Sequence, residues 1–151
     1  MQQWSARRAI LIGGLVAGLL DIAFAITFAH FNGTTPLSLL QTVASGLLGK
    51  AAYAGGVAAS ALGLGLHFLI AFLLAGAYYL ASQRIRFLTQ SPFLAGVLFG
   101  IFVFFLMRLV VLPLSAFPHP VSFKPLATVL DLLSHMLLFG VPIALAVRRT
   151  R

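Results

Sequence analysis

Residues 93–115 read FLAGVLFGIFVFFLMRLVVLPLS, and this stretch decides the fold. It holds a single charged residue, Arg108, in an otherwise apolar or small-residue run. About 20 such residues, wound as a helix, cross the hydrocarbon of a bilayer. Three other runs have the same character, at residues 9–28, 60–81 and 125–147. Together they predict an all-α integral membrane protein, a four-helix bundle forming a single domain over residues 1–151.

Composition agrees. Of the 151 residues, 61% are hydrophobic and 8% charged, against about 25% charged in a soluble domain. The formal charge of +8 raises the question of nucleic acid. The bases, however, sit in short clusters at the ends of the apolar runs, which suits lipid headgroups rather than a phosphate-lined groove. Nucleic acid is therefore not an expected partner. The absence of cysteine excludes disulfides, thiolate metal sites and iron–sulfur ligation.

The first run also has features of a signal peptide, with Arg7 and Arg8 ahead of it and Ala23-Phe24-Ala25 as an A-x-A match. Asp21 just before that site argues for an uncleaved helix. Between the first and second runs, Asn32-Gly33 is a turn signal and Thr35-Pro36 a helix start. Leu37, Leu40, Val43, Leu47 and Leu48 then recur at helical spacing. They predict a short amphipathic helix at the interface or re-entering it, with Gly55-Gly56 as a joint. Short connections predict antiparallel hairpins of the second with the third run, and of the third with the fourth.

Charge orients the bundle. Arg7, Arg8, Arg84, Arg86, Arg148, Arg149 and Arg151 fall on one face of a four-span protein, and Lys50 and Lys124 on the other. The positive-inside rule then places both termini in the cytoplasm. Gly14 and Gly18 form a GxxxG on the first run, Gly96 and Gly100 another on the third, and Gly63 lies on the second near Ala71 and Ala75. These small residues are expected to pack helices inside the bundle, with a homo-oligomer as the other use.

Ionisable groups inside apolar spans are costly and usually face a partner or a cavity. Both acids, Asp21 and Asp131, lie there, with Arg108, His67 and His135. Counted from the arginine-rich ends at 1.5 Å per residue, all five fall roughly 18–24 Å in. They predict one polar layer in the outer half of the membrane. Asp131 and His135 are spaced to touch along one helix, whereas Arg108 is rotated about 80° from Gly100 on a regular helix. Ser60, Thr128 and Ser134 are candidate hydrogen-bond partners. The structural reading is an ion-paired layer that fixes helix register. The functional readings are a proton or small-solute site, a partner contact, or a b-type haem held by His67 and His135. His30 and His119 read as headgroup-level residues. No HExxH, P-loop, GxSxG or paired-acid motif is present.

Leu66-His67-Phe68 leading to Gly76-Ala77-Tyr78, Leu94-Ala95-Gly96 running to Leu112-Pro113-Leu114, and Asp131-Leu132-Leu133-Ser134-His135 ending in Arg148-Arg149 resemble the YagU-like family of small bacterial inner-membrane proteins. The resemblance covers roughly residues 65–149. It implies a polytopic helical fold in the bacterial inner membrane, with His67 and the Asp131/His135 pair as family positions. The family carries a histidine where this chain has Arg108. No activity comes with the resemblance.

The leading expectation is a non-enzymatic polytopic membrane protein without a cofactor. It would serve as an accessory or scaffold subunit, or as an orphan membrane factor, with lipids and a larger membrane complex as partners. A proton or small-solute carrier using the buried Asp/His/Arg layer is the second reading, and a haem-binding electron-transfer protein the third.

Overall fold

The computed structural model describes residues 3–151, which are largely helical and contain no strand. α1 covers Ala6–Phe31 and starts at Ser5, whose Oγ accepts the Arg8 amide at 3.2 Å. After the turn at Asn32-Gly33, Thr35 caps α2, Pro36–Leu48, by accepting the Ser38 amide. Gly33 has a φ of +79°, where a side chain would be strained. A 3₁₀ segment, Gly49–Ala54, leads into α3, Gly56–Ser82. The single turn α4, Phe87–Gln90, precedes α5, Pro92–Leu114, and α6 runs over Pro125–Arg148. α1, α3, α5 and α6 are the four helices long and apolar enough to cross a membrane, as the sequence predicts, with the short helix α2 between the first two.

Both ends of the chain meet at one end of the bundle. The Trp4 amide donates to the Arg149 carbonyl at 2.8 Å. The guanidiniums of Arg8 and Arg149 lie 4.9 and 4.8 Å from the Trp4 ring centre. Arg151 Nη2 donates to the Ser82 carbonyl at 3.1 Å, so the end of α3 is drawn to the same place. We call this the terminal end. α2 and the loop at residues 115–124 close the opposite, distal end.

Small residues decide which helices touch. Buried Ala9, Gly13, Gly14, Ala17 and Gly18 give α1 a low face. Phe72 and Phe68 of α3 sit directly on Gly14 and Gly18, and a β-carbon at either glycine would meet those rings. Gly96 and Gly100 of α5 lie against the backbone of α6 around His135, Gly140 and Val141. α6 therefore runs between α1 and α5, and α3 packs along α1 with a smaller contact to α6. The expected antiparallel hairpin of the second run with the third forms, but its two helices touch over a short length. α3 and α5 are antiparallel, but each is drawn to a different glycine-bearing partner. They meet near the terminal end, where the rings of Tyr78 and Phe99 are edge to face at 4.8 Å. Toward the distal end they stand apart.

α2 is not a free interfacial helix. Its Leu40 carbonyl lies against Gly63 of α3, an approach closed to any larger residue there. Ser60 Oγ donates to the Leu37 carbonyl at 3.1 Å and fastens the same crossing. The outward faces are apolar. Only 17% of the most apolar stretch of α5 is buried inside the molecule, and Phe102, Phe105 and Leu109 are exposed on it. Lipid, not water, solvates such a surface.

Candidate functional site

A cavity of about 740 Å³ lies in the distal half of the bundle, walled by all four spans, α2 and the distal loop. Asp21, His67, Arg108, Asp131 and His135 all line it. The structure thus gathers the five ionisable residues of the spans around one space. It lies within the range of about 300–1,000 Å³ usual for ligand sites.

Arg108 and Asp131 form the strongest contact. Arg108 Nη2 donates to Asp131 Oδ2 at 2.8 Å and Nε donates to the same oxygen at 3.2 Å. The third nitrogen, Nη1, donates to the Ser122 carbonyl of the distal loop. The guanidinium also lies 4.9 and 5.3 Å from the ring centres of Phe104 and Phe123, a favourable site for a cation. Asp131 Oδ1 remains for His135, whose Nδ1 is 3.2 Å away. That nitrogen also faces the Asp131 carbonyl at 2.9 Å. Both neighbours are acceptors, so Nδ1 carries the proton.

Asp21 is served differently. Its Oδ1 accepts the Ser134 hydroxyl at 2.9 Å, and His135 Nδ1 stands 4.0 Å off. His67, on α3, donates from Nε2 to the Gly18 carbonyl at 2.9 Å. A carbonyl only accepts, so this contact fixes the proton on Nε2 and leaves Nδ1 as the acceptor of the neutral ring. The bond also ties the α3 wall to the glycine face of α1.

Two departures from regular helix occur at this layer. α5 widens into a π turn over Met107–Val111, which contains Arg108. α6 does the same over His135–Gly140, which begins at His135. Each wide turn is followed by a proline, Pro113 or Pro142. A proline inside a helix has no amide proton and clashes with the carbonyl four residues back, and widening the preceding turn relieves that clash. π turns recur at functional sites because they re-aim side chains and loosen backbone pairing.

The other sequence candidates fall elsewhere. Ser60 belongs to the crossing of α2 and α3, not to the polar layer. Thr128 Oγ1 is buried with no hydrogen-bond partner. Ser134 alone of the three reaches the layer. His30 packs on Phe31. His119 contacts the Tyr53 hydroxyl at 3.1 Å and pins the distal loop to the 3₁₀ segment. Gly140 was not singled out by the sequence, for it has no glycine partner four residues away. In the structure it meets Gly96 and Gly100 at the closest backbone approach of α5 and α6. The α2 wall of the cavity, at Leu39, Thr42 and Val43, was also not foreseen. No protein-family model, curated protein or solved structure matches the chain.

Proposed function

We propose that this chain is a multi-pass protein of the bacterial inner membrane that binds and carries a small solute in its distal cavity, exchanging protons through the Asp21–His135–Asp131 group. One observation carries this reading: the five ionisable side chains of the spans border a single cavity instead of being sealed from it. An ion-paired layer that served only to fix helix register would be closed over by packing. A scaffold role leaves such a cavity without a use.

The seven arginines other than Arg108, all at the terminal end, support a cytoplasmic location for both termini. The cavity then opens in the outer half of the membrane. Kinship with the YagU-like family is part of the same reading, supported by the position of His67, Asp131 and His135 on one cavity wall system. Haem ligation is the less favoured alternative, because His67 would first have to release the Gly18 carbonyl from Nε2.

The test is electrical. Purified protein is reconstituted into vesicles on a solid-supported membrane and challenged with concentration jumps of a lipophilic cation, a lipophilic anion and a neutral amphiphile. A transient current with at least one class is expected, and it should shrink in Ile70→Trp, which puts an indole into the cavity. No current with any class, from protein shown to be folded, would reject the carrier reading in favour of a scaffold.

A further inference from the structure

Resting on that reading, the geometry points to the chemical class of the solute: an amphipathic organic monocation seated against Asp21 in the distal cavity.

Charge is the first ground. The spans place two carboxylates on the cavity, Asp21 and Asp131, against one permanent cation, Arg108. Arg108 is fully engaged, with two nitrogens on Asp131 and the third on the Ser122 carbonyl. Asp21 is left with one neutral donor, the Ser134 hydroxyl, while the His135 ring nitrogen nearest to it points its proton at Asp131. Asp21 Oδ2 receives no donor among the described residues. Asp21 thus has an oxygen open to a cationic group, with His135 standing 4.0 Å away as its nearest basic neighbour, whereas an anionic solute would find no free donor on Arg108 to accept from. Lys124 is the other cation on the cavity. It starts α6 ten residues before Ser134, roughly 15 Å along the axis, and so stands at the distal mouth rather than beside Asp21.

The surroundings of Asp21 are the second ground. Ile22, Ile70, Leu74, Val103, Phe104 and Phe139 line the same cavity. Aliphatic and aromatic walls take the apolar body of such an ion, and aromatic faces favour a cation over an anion.

The test uses two ions of one shape and opposite charge, tetraphenylphosphonium and tetraphenylborate, in equilibrium dialysis against the protein in a non-ionic detergent. Saturable binding of the phosphonium at one site per chain is expected. Asp21→Asn should weaken it by about tenfold or more, the loss of one good ionic contact. Ile70→Trp should weaken it by crowding the site with the carboxylate intact, which covers the case in which Asp21→Asn does not fold. Leu19→Trp, on the exposed face of α1, should bind as wild type. Unchanged affinity in a folded Asp21→Asn protein would overturn the assignment. Saturable binding of tetraphenylborate in place of the phosphonium would also overturn it, yet would sustain a solute site in the cavity. If neither ion binds saturably the cation assignment falls, and the vesicle currents decide the broader reading independently.

Discussion

Arg108 and Asp131 meet across α5 and α6 through one carboxylate oxygen, Oδ2, which accepts from two guanidinium nitrogens at 2.8 and 3.2 Å. The pair joins the two helices that widen at this depth, and it leaves the other carboxylate oxygen to His135. Losing one partner strands the other charge. For fully buried pairs that costs about 3–5 kcal/mol. Here the side chains are 18% and 35% exposed to the cavity, so about 2–3 kcal/mol is expected, between the buried and exposed cases.

Arg108→Leu and Asp131→Leu should therefore each destabilise by that amount, and the double substitution should cost no more than the worse single one. Thermal unfolding in detergent measures this. A double-mutant loss equal to the sum of the single losses would show that the side chains act independently.

The glycines separate cleanly by position. A β-carbon on Gly100 would run into the His135 backbone, and one on Gly140 into that of Gly96. Gly100→Ala and Gly140→Ala should each cost about 1–3 kcal/mol or more by overpacking, since a backbone cannot rotate away as a side chain can. Gly65 has nothing within 4 Å of its would-be β-carbon. Gly65→Ala should be neutral or slightly stabilising in the same unfolding assay. Equal losses at all three sites would mean that α5 and α6 do not approach as described.

Much of this was legible in the sequence, because the membrane limits the choices. Apolar runs of bilayer length must be helices, and five ionisable residues at one counted depth pointed to a common layer. Neighbour relations were not legible from loop length. The connection at residues 83–91 is short, yet α3 and α5 touch only near the terminal end, because Gly14 and Gly18 bind α3 to α1 while Gly96 and Gly100 bind α5 to α6. The cavity follows from that choice of partners, so it too was hidden. The wide turns were signalled by Pro113 and Pro142, whose missing amides forbid a regular turn before them. The partition of Asp131 between Arg108 and His135, and the choice of Ser134 over Ser60 and Thr128 as a partner, depend on those turns and cannot be counted from spacing.

Topology is open to direct labelling, because the chain has no cysteine. Single cysteines at Gln3, Arg86 and Arg151 should react with an impermeant maleimide only from the cytoplasmic face of oriented vesicles. Cysteines at Lys50 and Lys124 should react only from the other face. Labelling of the Lys50 and Arg86 positions from one side would refute four spans with cytoplasmic termini.

The same cysteine-free background tests the cavity itself. Ile70 lines it, whereas Leu73 is exposed on the outer face of α3. They are three residues apart, about 4.5 Å along the axis, so depth in the membrane is nearly the same for both. Thiols react as thiolates, which form in water and not in hydrocarbon. The measurement is the rate at which a small charged methanethiosulfonate modifies Ile70→Cys and Leu73→Cys in vesicles. Ile70→Cys should react about tenfold faster or more, a difference of at least 1.4 kcal/mol in thiolate access. Equally slow modification of both would contradict a solvent-reached cavity at the Asp21, His67, Arg108, Asp131 and His135 layer.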